Sequence, residues 1–331
     1  MGPLSQLAYP IRMKDSKSQP STPNPHGLPI QLDQPGGGVF VHVELAWAAL
    51  RRGIIRSFFP GHIRRMEAIQ TGSCPDCPHG IIDSRDLKYK KLLCGYRFDL
   101  ARDRFAWRDR TYFARHGWAE IFFLAGMLSM VAVSGLVLAL TCHPAWTVMA
   151  LAPLPFVVFT FAFFRNPMRT PPADENTLCS PADGVVTDVD EVEEPGFPGG
   201  KAKRISIFLS VFNVHVNRAP VSGTVERIVY LPGLYLDARH PECFRRNEQL
   251  WLDIRDDQGR LWRVRQVAGA IARRIVCQAK VGTKVTRGAL YGLIKFGSRT
   301  EILWETDLAC KPLVQVGSIV RGGQTAVCQR E

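Results

Sequence analysis

Apolar positions change their period along the chain. Residues 1–38 hold seven prolines, the run Gly36-Gly37-Gly38 and almost no apolar clustering. Such a segment cannot bury enough surface to offset its ordering entropy and is predicted to be a disordered tail. Over 43–59 the pattern is helical, with Leu45, Ala48, Ala49 and Ile55 near one face and Arg51, Arg52 and Arg56 adding charge. That fits either a solvated helix packed on its own domain or a helix lying on a lipid surface. Residues 121–140 carry no charge and would span about 30 Å as a helix, the thickness of a bilayer core. Residues 146–164 form a second uncharged run, in which Pro153 and Pro155 predict a kink. The pair predicts a transmembrane helical hairpin over 118–164, with a buried hairpin of a soluble core as the alternative.

Beyond residue 165 the period shortens. Runs at 184–189, 204–209, 224–230, 249–254, 261–267, 289–296 and 300–304 are rich in β-branched and aromatic residues and are separated by turn residues such as Asp256-Asp257-Gln258-Gly259. Many short strands predict a mostly β sandwich or barrel. Only 268–274 reads as a brief helix. Lys280-Val281-Gly282 with Val285 and Gly288 is echoed by Val316-Gly317 with Val320 and Gly323, as in the paired hairpins of barrel-sandwich folds.

Charge sharpens the division. Residues 1–117 hold 18 basic and 10 acidic side chains, 118–164 hold only Glu120, and 165–331 hold 24 against 19. A neutral stretch between basic blocks is the signature of a membrane segment with cationic flanks. Arginines at 102, 104, 108, 110 and 115 precede it, Arg165 and Arg169 follow it, and the connector has none, so both termini are expected on the cytoplasmic side. The domains expected are therefore a tail (1–38), a basic extension (39–117), the hairpin (118–164) and a β domain (165–331).

Nine cysteines spread over 331 residues do not make a disulfide framework. Cys74 and Cys77 have zinc-like spacing and, with the irregularly spaced His79 and Cys94, offer four potential ligands for a structural zinc; unliganded thiols are the other reading. Cys142, Cys179, Cys243, Cys277, Cys310 and Cys328 show no ligand spacing and read as thiols.

Gly-Ser occurs three times, at 72–73, 297–298 and 317–318, so context must separate them. Gly297-Ser298 alone ends a strand-like run, 290–296, and precedes a second strand. A sharp turn there exposes a hydroxyl beside a carbonyl with no neighbouring Cβ. Such a serine can attack the preceding carbonyl, and elimination from the ester leaves dehydroalanine, which hydrolyses to a pyruvoyl group.

Six ordered stretches carry a resemblance: Phe164-Arg165-Asn166-Pro167, Ser180-Pro181-Ala182-Asp183-Gly184, Ile205-Ser206-Ile207-Phe208-Leu209-Ser210, Val214-His215-Val216-Asn217-Arg218, 268–274 and 295–299. Together, across residues 118–331, they resemble phosphatidylserine decarboxylase of the short prokaryotic type. The resemblance implies a proenzyme cleaved between Gly297 and Ser298 into chains 1–297 and 298–331 that stay together as a heterodimer. Ser298 would become the pyruvoyl that forms a Schiff base with the amine of an anionic phospholipid, releasing CO2 and phosphatidylethanolamine. Asp183 and His215 match the family's acid–base positions. The longer members carry a second histidine three residues on; here that position is Arg218. Arg218 cannot be a base at neutral pH but could hold a phosphate or carboxylate, and the base for self-cleavage stays open. The implied setting is the cell membrane with the catalytic domain inside. Two other classes fit parts of the chain: a non-catalytic biotinyl- or lipoyl-type carrier module on an anchor, which needs a lysine at a hairpin tip, and a basic nucleic-acid binder, which leaves the hairpin unexplained.

Overall fold

A computed structural model of the chain describes residues 38–73, 80–89, 96–98, 107–108, 111–194, 196–231, 233–270, 274–295 and 297–331. The expected tail before residue 38 and the cysteine–histidine set at 74, 77, 79 and 94 lie outside the described residues. The basic extension opens with α1 (Gly38–Phe58) and α2 (Pro60–Glu67). The two part at Phe59, because Pro60 has no N–H to continue the first ladder but suits the first position of the second. A short ladder pairs β1 (Gln70–Thr71) with β2 (Arg97–Phe98).

Both charge-free runs are helical. The first comprises α3 (Trp118–Glu120), a π-helical turn (Ile121–Ala125) and α4 (Gly126–Thr141). The second comprises α5 (Thr147–Leu151) and α6 (Leu154–Phe163), interrupted around Pro153 and Pro155 as the prolines predict. Arg115–Thr141 and Pro144–Phe163 are each long and apolar enough to cross a membrane. They pack on each other yet leave Leu136, Leu140, Val148, Phe156 and Val158 exposed, Leu140 by 78%.

The rest is antiparallel β. The strands are β3 (Thr177–Cys179), β4 (Gly184–Glu193), β5 (Lys201–Leu209), β6 (Val216–Arg218), β7 (Gly223–Leu231), β8 (Gln249–Arg255), β9 (Leu261–Ala268), β10 (Arg274–Cys277), β11 (Lys284–Val285), β12 (Leu290–Lys295), β13 (Ser298–Glu305), β14 (Cys310–Pro312), β15 (Ile319–Val320) and β16 (Ala326–Arg330). An eight-stranded sheet runs β11-β7-β8-β9-β13-β5-β4-β15, flanked by three-stranded sheets β10-β12-β6 and β14-β16-β3. The large sheet curls into a half-barrel: Val225 on β7 and Val186 on β4, near its opposite ends, share one core with Ile207, Val264, Ile302, Trp262 and Trp304. A short helix, α7 (Cys243–Arg246), lies between β7 and β8.

Side-chain alternation sorts β13 into two faces. Ile302 and Trp304 enter the apolar core, while Arg299 and Glu301 join a buried ionic network on the other face. Glu301 accepts from Arg204 at 3.2 Å, Ser206 at 3.0 Å and Arg265 at 3.2 Å. Arg263 bonds Asp253 at 2.7 Å and Glu194, and is sandwiched between Trp251 and Phe197. Buried charges are tolerated when paired and hydrogen-bonded in this way.

The sequence echo is structural. Gly282 N–H donates to Val225 O and Gly317 N–H to Val186 O, each at 2.8 Å; Val225 N–H donates to Thr283 O and Val186 N–H to Ser318 O, each at 2.9 Å. The two halves are thus equivalent turn–strand–turn units, clipped to opposite edges of one sheet.

Two readings are corrected. The span 268–274 is not a helix in its described part: Ala268 ends β9, paired with Ser298, and Arg274 opens β10, paired with Lys295. Pairing to β13 and β12 outweighs a short run's weak helical pattern. Cys310 and Cys328, read as thiols, are joined as a disulfide. β14 sets Pro312 opposite Cys328 and Cys310 opposite Arg330, leaving the two Cα atoms 6.3 Å apart, within bridging distance. Cys142, Cys179, Cys243 and Cys277 are free.

Candidate active site

Gly297 is the corner between β12 and β13, and it takes φ +61°, a left-handed conformation that a side chain would strain. Ser298 follows as the first residue of β13, held between Leu209 of β5 and Ala268 of β9. Its side chain is fully buried and its Oγ has no hydrogen-bond partner. A buried hydroxyl without a partner is costly in an ordinary core and common where a group is kept for reaction.

His215 reaches the same corner from the residue before β6. Gly297 N–H donates to its Nε2 at 3.1 Å, and its Nδ1 lies 2.9 Å from the Asn213 carbonyl. A carbonyl only accepts, so Nδ1 carries the proton and Nε2 turns a lone pair toward the Gly297 turn. The imidazole is fully buried, and burial pushes its pKa down to about 4, with the nearby Arg165 charge acting the same way. It is therefore neutral at pH 7. Phe163, in the last turn of α6, lies over the ring with centroids 4.2 Å apart.

Asp183 is near this corner but does not touch His215. Its carboxylate pairs with Arg169 through both oxygens, at 2.7 Å for Oδ2, and Oδ1 accepts the Gly322 N–H at 2.8 Å. In the equivalent half, Ser222 Oγ accepts the Arg287 N–H at 2.9 Å. Asp183 thus fills a turn-capping position found in both halves and adds the pairing to Arg169 in its own. The His215 ring is held instead by the Asn213 carbonyl.

Arg218 spends its terminal nitrogens on the protein: Gly288 O at 3.0 Å, Asn166 Oδ1 at 2.7 Å and Pro167 O at 2.9 Å. Those bonds tie the segment after α6 to β6, with Arg218 as a strut rather than a free anion ligand. Lys295, which a carrier module would need at a hairpin tip, is buried at the end of β12 and ion-paired with Glu120 of α3. That placement removes the carrier reading. Among the described residues no group of three or more His, Cys, Asp or Glu is placed to hold a metal ion.

Sequence reasoning passed over Gly269. A Cβ there would lie 2.5 Å from Gly297 O and 3.2 Å from its carbonyl carbon. The Gly297 carbonyl is thus seated directly on a glycine. The signal was present in the 268–274 stretch, but nothing in one dimension says which backbone approaches it. Asn213, Arg169 and Phe163 were missed for the same reason.

Residues 156–328 match the family model described as phosphatidylserine decarboxylase. A protein from Rhodopirellula baltica named phosphatidylserine decarboxylase proenzyme is 41% identical over 244 residues, covering 72% of this chain and 97% of that protein. Proteins of the same name from Trichlorobacter lovleyi and Citrifermentans bemidjiense are 43% identical over 211 residues and 52% over 145; these cover 64% and 44% of this chain, and 93% and 66% of those proteins. With the matched region holding the Gly297-Ser298 turn, His215 and Asp183, the chain belongs to the phosphatidylserine decarboxylase family.

Proposed function

We propose that the chain is a self-cleaving, pyruvoyl-dependent enzyme that converts phosphatidylserine to phosphatidylethanolamine and CO2 at a membrane. The observation that carries this is the Gly297-Ser298 corner, where a buried, unpartnered hydroxyl stands next to a strained glycine whose N–H is held by a neutral imidazole. Ser298 Oγ adds to the Gly297 carbonyl carbon, and the peptide C–N bond breaks to leave an ester and an amine. Elimination of the Gly297 carboxylate frees chain 1–297 and leaves dehydroalanine at residue 298, and its hydrolysis releases ammonia and leaves chain 298–331 with a pyruvoyl terminus. His215 Nε2, one peptide away, is the base that takes the serine proton.

The same residues suit a pyruvoyl at position 298, since the buried oxygen meets no competing donor and Gly269 leaves room beside residue 297. A pyruvoyl supplies an electron-withdrawing carbonyl that, joined to the substrate amine, takes up the electron pair left as CO2 departs. His215 then carries the proton that replaces CO2. Phe163 keeps water from the imidazole, and Arg169 keeps Asp183 fixed beside it. Strands β5 and β9 on either side of β13 hold the cleaved chains together as a heterodimer.

The exposed apolar surface of the two long helices favours membrane insertion over burial in a soluble core. The flanking arginines support a topology with both termini on the cytoplasmic side. The hairpin also reaches the reactive corner: Glu120 pairs with Lys295 at its start and Phe163 covers His215 at its end. Intact-mass measurement tests the reading. Wild-type protein should give two chains, the smaller with a ketone terminus, and Ser298→Ala should give one inactive chain of 331 residues. A wild-type protein that stays intact yet decarboxylates would overturn it.

A further inference from the structure

The segment ahead of the family-matched region builds a second polar feature, away from Ser298, His215 and Asp183. Between α1 and the start of the hairpin lies a cavity of about 340 Å3. Four arginines line it, Arg51, Arg85, Arg108 and Arg115, and no acidic side chain is among its described lining residues. The carboxylates that hold these arginines are fully buried behind them: Asp86 bonds Arg51 and Arg52, and Asp83 bonds Arg85. Arg115 is braced by Ser84 Oγ at 3.1 Å. Burial, then the Arg85 and Arg115 charges, lower the Arg108 pKa.

The other wall is aromatic. Trp47 of α1 meets Phe123 edge-on at 4.8 Å, and Trp118 packs against Trp107, Phe113 and Phe122. A tryptophan-rich ring at the end of an apolar span marks the headgroup level of a bilayer. Helix α1 continues that surface. Trp47, Leu50, Ile54 and Phe58 are exposed at spacings of three, four and four, one stripe of a helix, while Ala48, Arg52 and Ile55 on the other side are buried. An exposed apolar stripe joined to an apolar hairpin, with arginines between, is the arrangement of an interfacial helix.

We propose that this pocket holds the phosphate of an anionic phospholipid from the surrounding leaflet, its acyl chains lying along the Trp47–Phe123 wall and the hairpin. Planar guanidinium forks match phosphate oxygens, and their prior fixing by Asp83, Asp86 and Ser84 lowers the ordering cost of binding. The pocket is assembled from residues outside 156–328, on the basic extension and on the start of the hairpin. The bound lipid seats the extension on the membrane and so fixes α1 against the hairpin. The proposal rests on the membrane placement put forward above.

The test uses the full chain carrying Ser298→Ala, so that binding is read without turnover. Native mass spectrometry from detergent is run against phosphatidylglycerol, with phosphatidylcholine as the uncharged lipid and inorganic phosphate as the free anion. The expected result is one retained phosphatidylglycerol per chain, no retained phosphatidylcholine, and no displacement by equimolar inorganic phosphate. Arg108→Gln with Arg115→Gln should weaken retention by about 10- to 100-fold, the loss of charge-assisted bonds. In the Ser298-containing chain the same pair should leave self-cleavage unchanged. If the double variant does not fold, Arg108→Lys with Arg115→Lys keeps the charge, removes the fork and should still weaken retention. Equal retention of both lipids, displacement by inorganic phosphate, or unchanged retention in the folded variants would overturn the proposal. Flotation of the same chain with carbonate-washed vesicles separates the two claims. A chain that floats but retains no phosphatidylglycerol sinks the pocket alone, and one that does not float sinks the membrane placement as well.

Discussion

Replacing Gly269 with alanine should stall self-cleavage without unfolding the protein. The added Cβ would stand 2.5 Å from Gly297 O, 3.2 Å from Gly297 C and 3.3 Å from Ala238 Cβ. Carbon meets a carbonyl oxygen at about 3.3 Å or more, so roughly 0.8 Å has to be found. Ala238 blocks retreat on one side, and on the other Ala268 is paired directly with Ser298. The shift therefore falls on the Gly297–Ser298 peptide. A misplacement near 1 Å at a reacting centre costs about 100-fold in rate, or about 2.7 kcal/mol of barrier. Overpacking of this kind costs about 1–3 kcal/mol of stability, which a domain with this core should survive. The assay is the cleaved fraction on a denaturing gel over time, with thermal unfolding in parallel. Gly53→Ala is the control, because a Cβ there meets nothing within 4 Å. If Gly269→Ala folds and cleaves at the wild-type rate, the seating of the Gly297 carbonyl does not limit the reaction and the account of the corner fails.

Three further outcomes follow from buried titratable groups. His215 titrates near 4 in the fold against 6.5 when free, so the unfolded chain binds the proton first as pH falls. Its contribution to stability is fully present above about 6.5 and is lost between 6.5 and 4, by about 3 kcal/mol; urea midpoints at pH 7 and 4.5 should differ less in His215→Phe than in wild type, and equal differences would contradict it. Cleavage by the wild type should likewise be flat from pH 8 to about 5.5 and fall toward 4 as Nε2 is protonated. Glu301→Gln removes the carboxylate shared by Arg204, Arg265 and Ser206 and should cost about 3–5 kcal/mol of stability, seen as a lowered urea midpoint, because it leaves buried charge uncompensated.

Much of this protein was legible along one dimension because the features are local. β-Branched residues alternating with polar ones marked β5, β7, β9 and β13 to within a few residues. The two charge-free runs marked the long helices, and the prolines marked where the second would break. Gly297-Ser298 stood apart from two other Gly-Ser pairs because only it lay between strands, and Gly297 does turn the chain there. The glycine-punctuated echo pointed to paired hairpins, and hydrogen bonding makes them equivalent units at the two edges of the large sheet.

What the tertiary structure decided is which distant groups share each local feature. Asp183 and His215 look like a pair by motif, yet the ring is held by the Asn213 carbonyl two residues away and the carboxylate by Arg169 and Gly322. Backbone acceptors leave no residue-type signature, so no reading of side chains could have assigned them. Arg218 offered a fork for an anion, but its reach to Gly288 O, Asn166 and Pro167 depends on two loops meeting β6. The span 268–274 has the composition of a helix, and only pairing with Ser298 and Lys295 at its two ends makes strands of them. Sequence sets local propensity and period. The choice of partner is made by antiparallel register, which brings Ser298, Ala268 and Leu209 side by side from positions up to 89 residues apart.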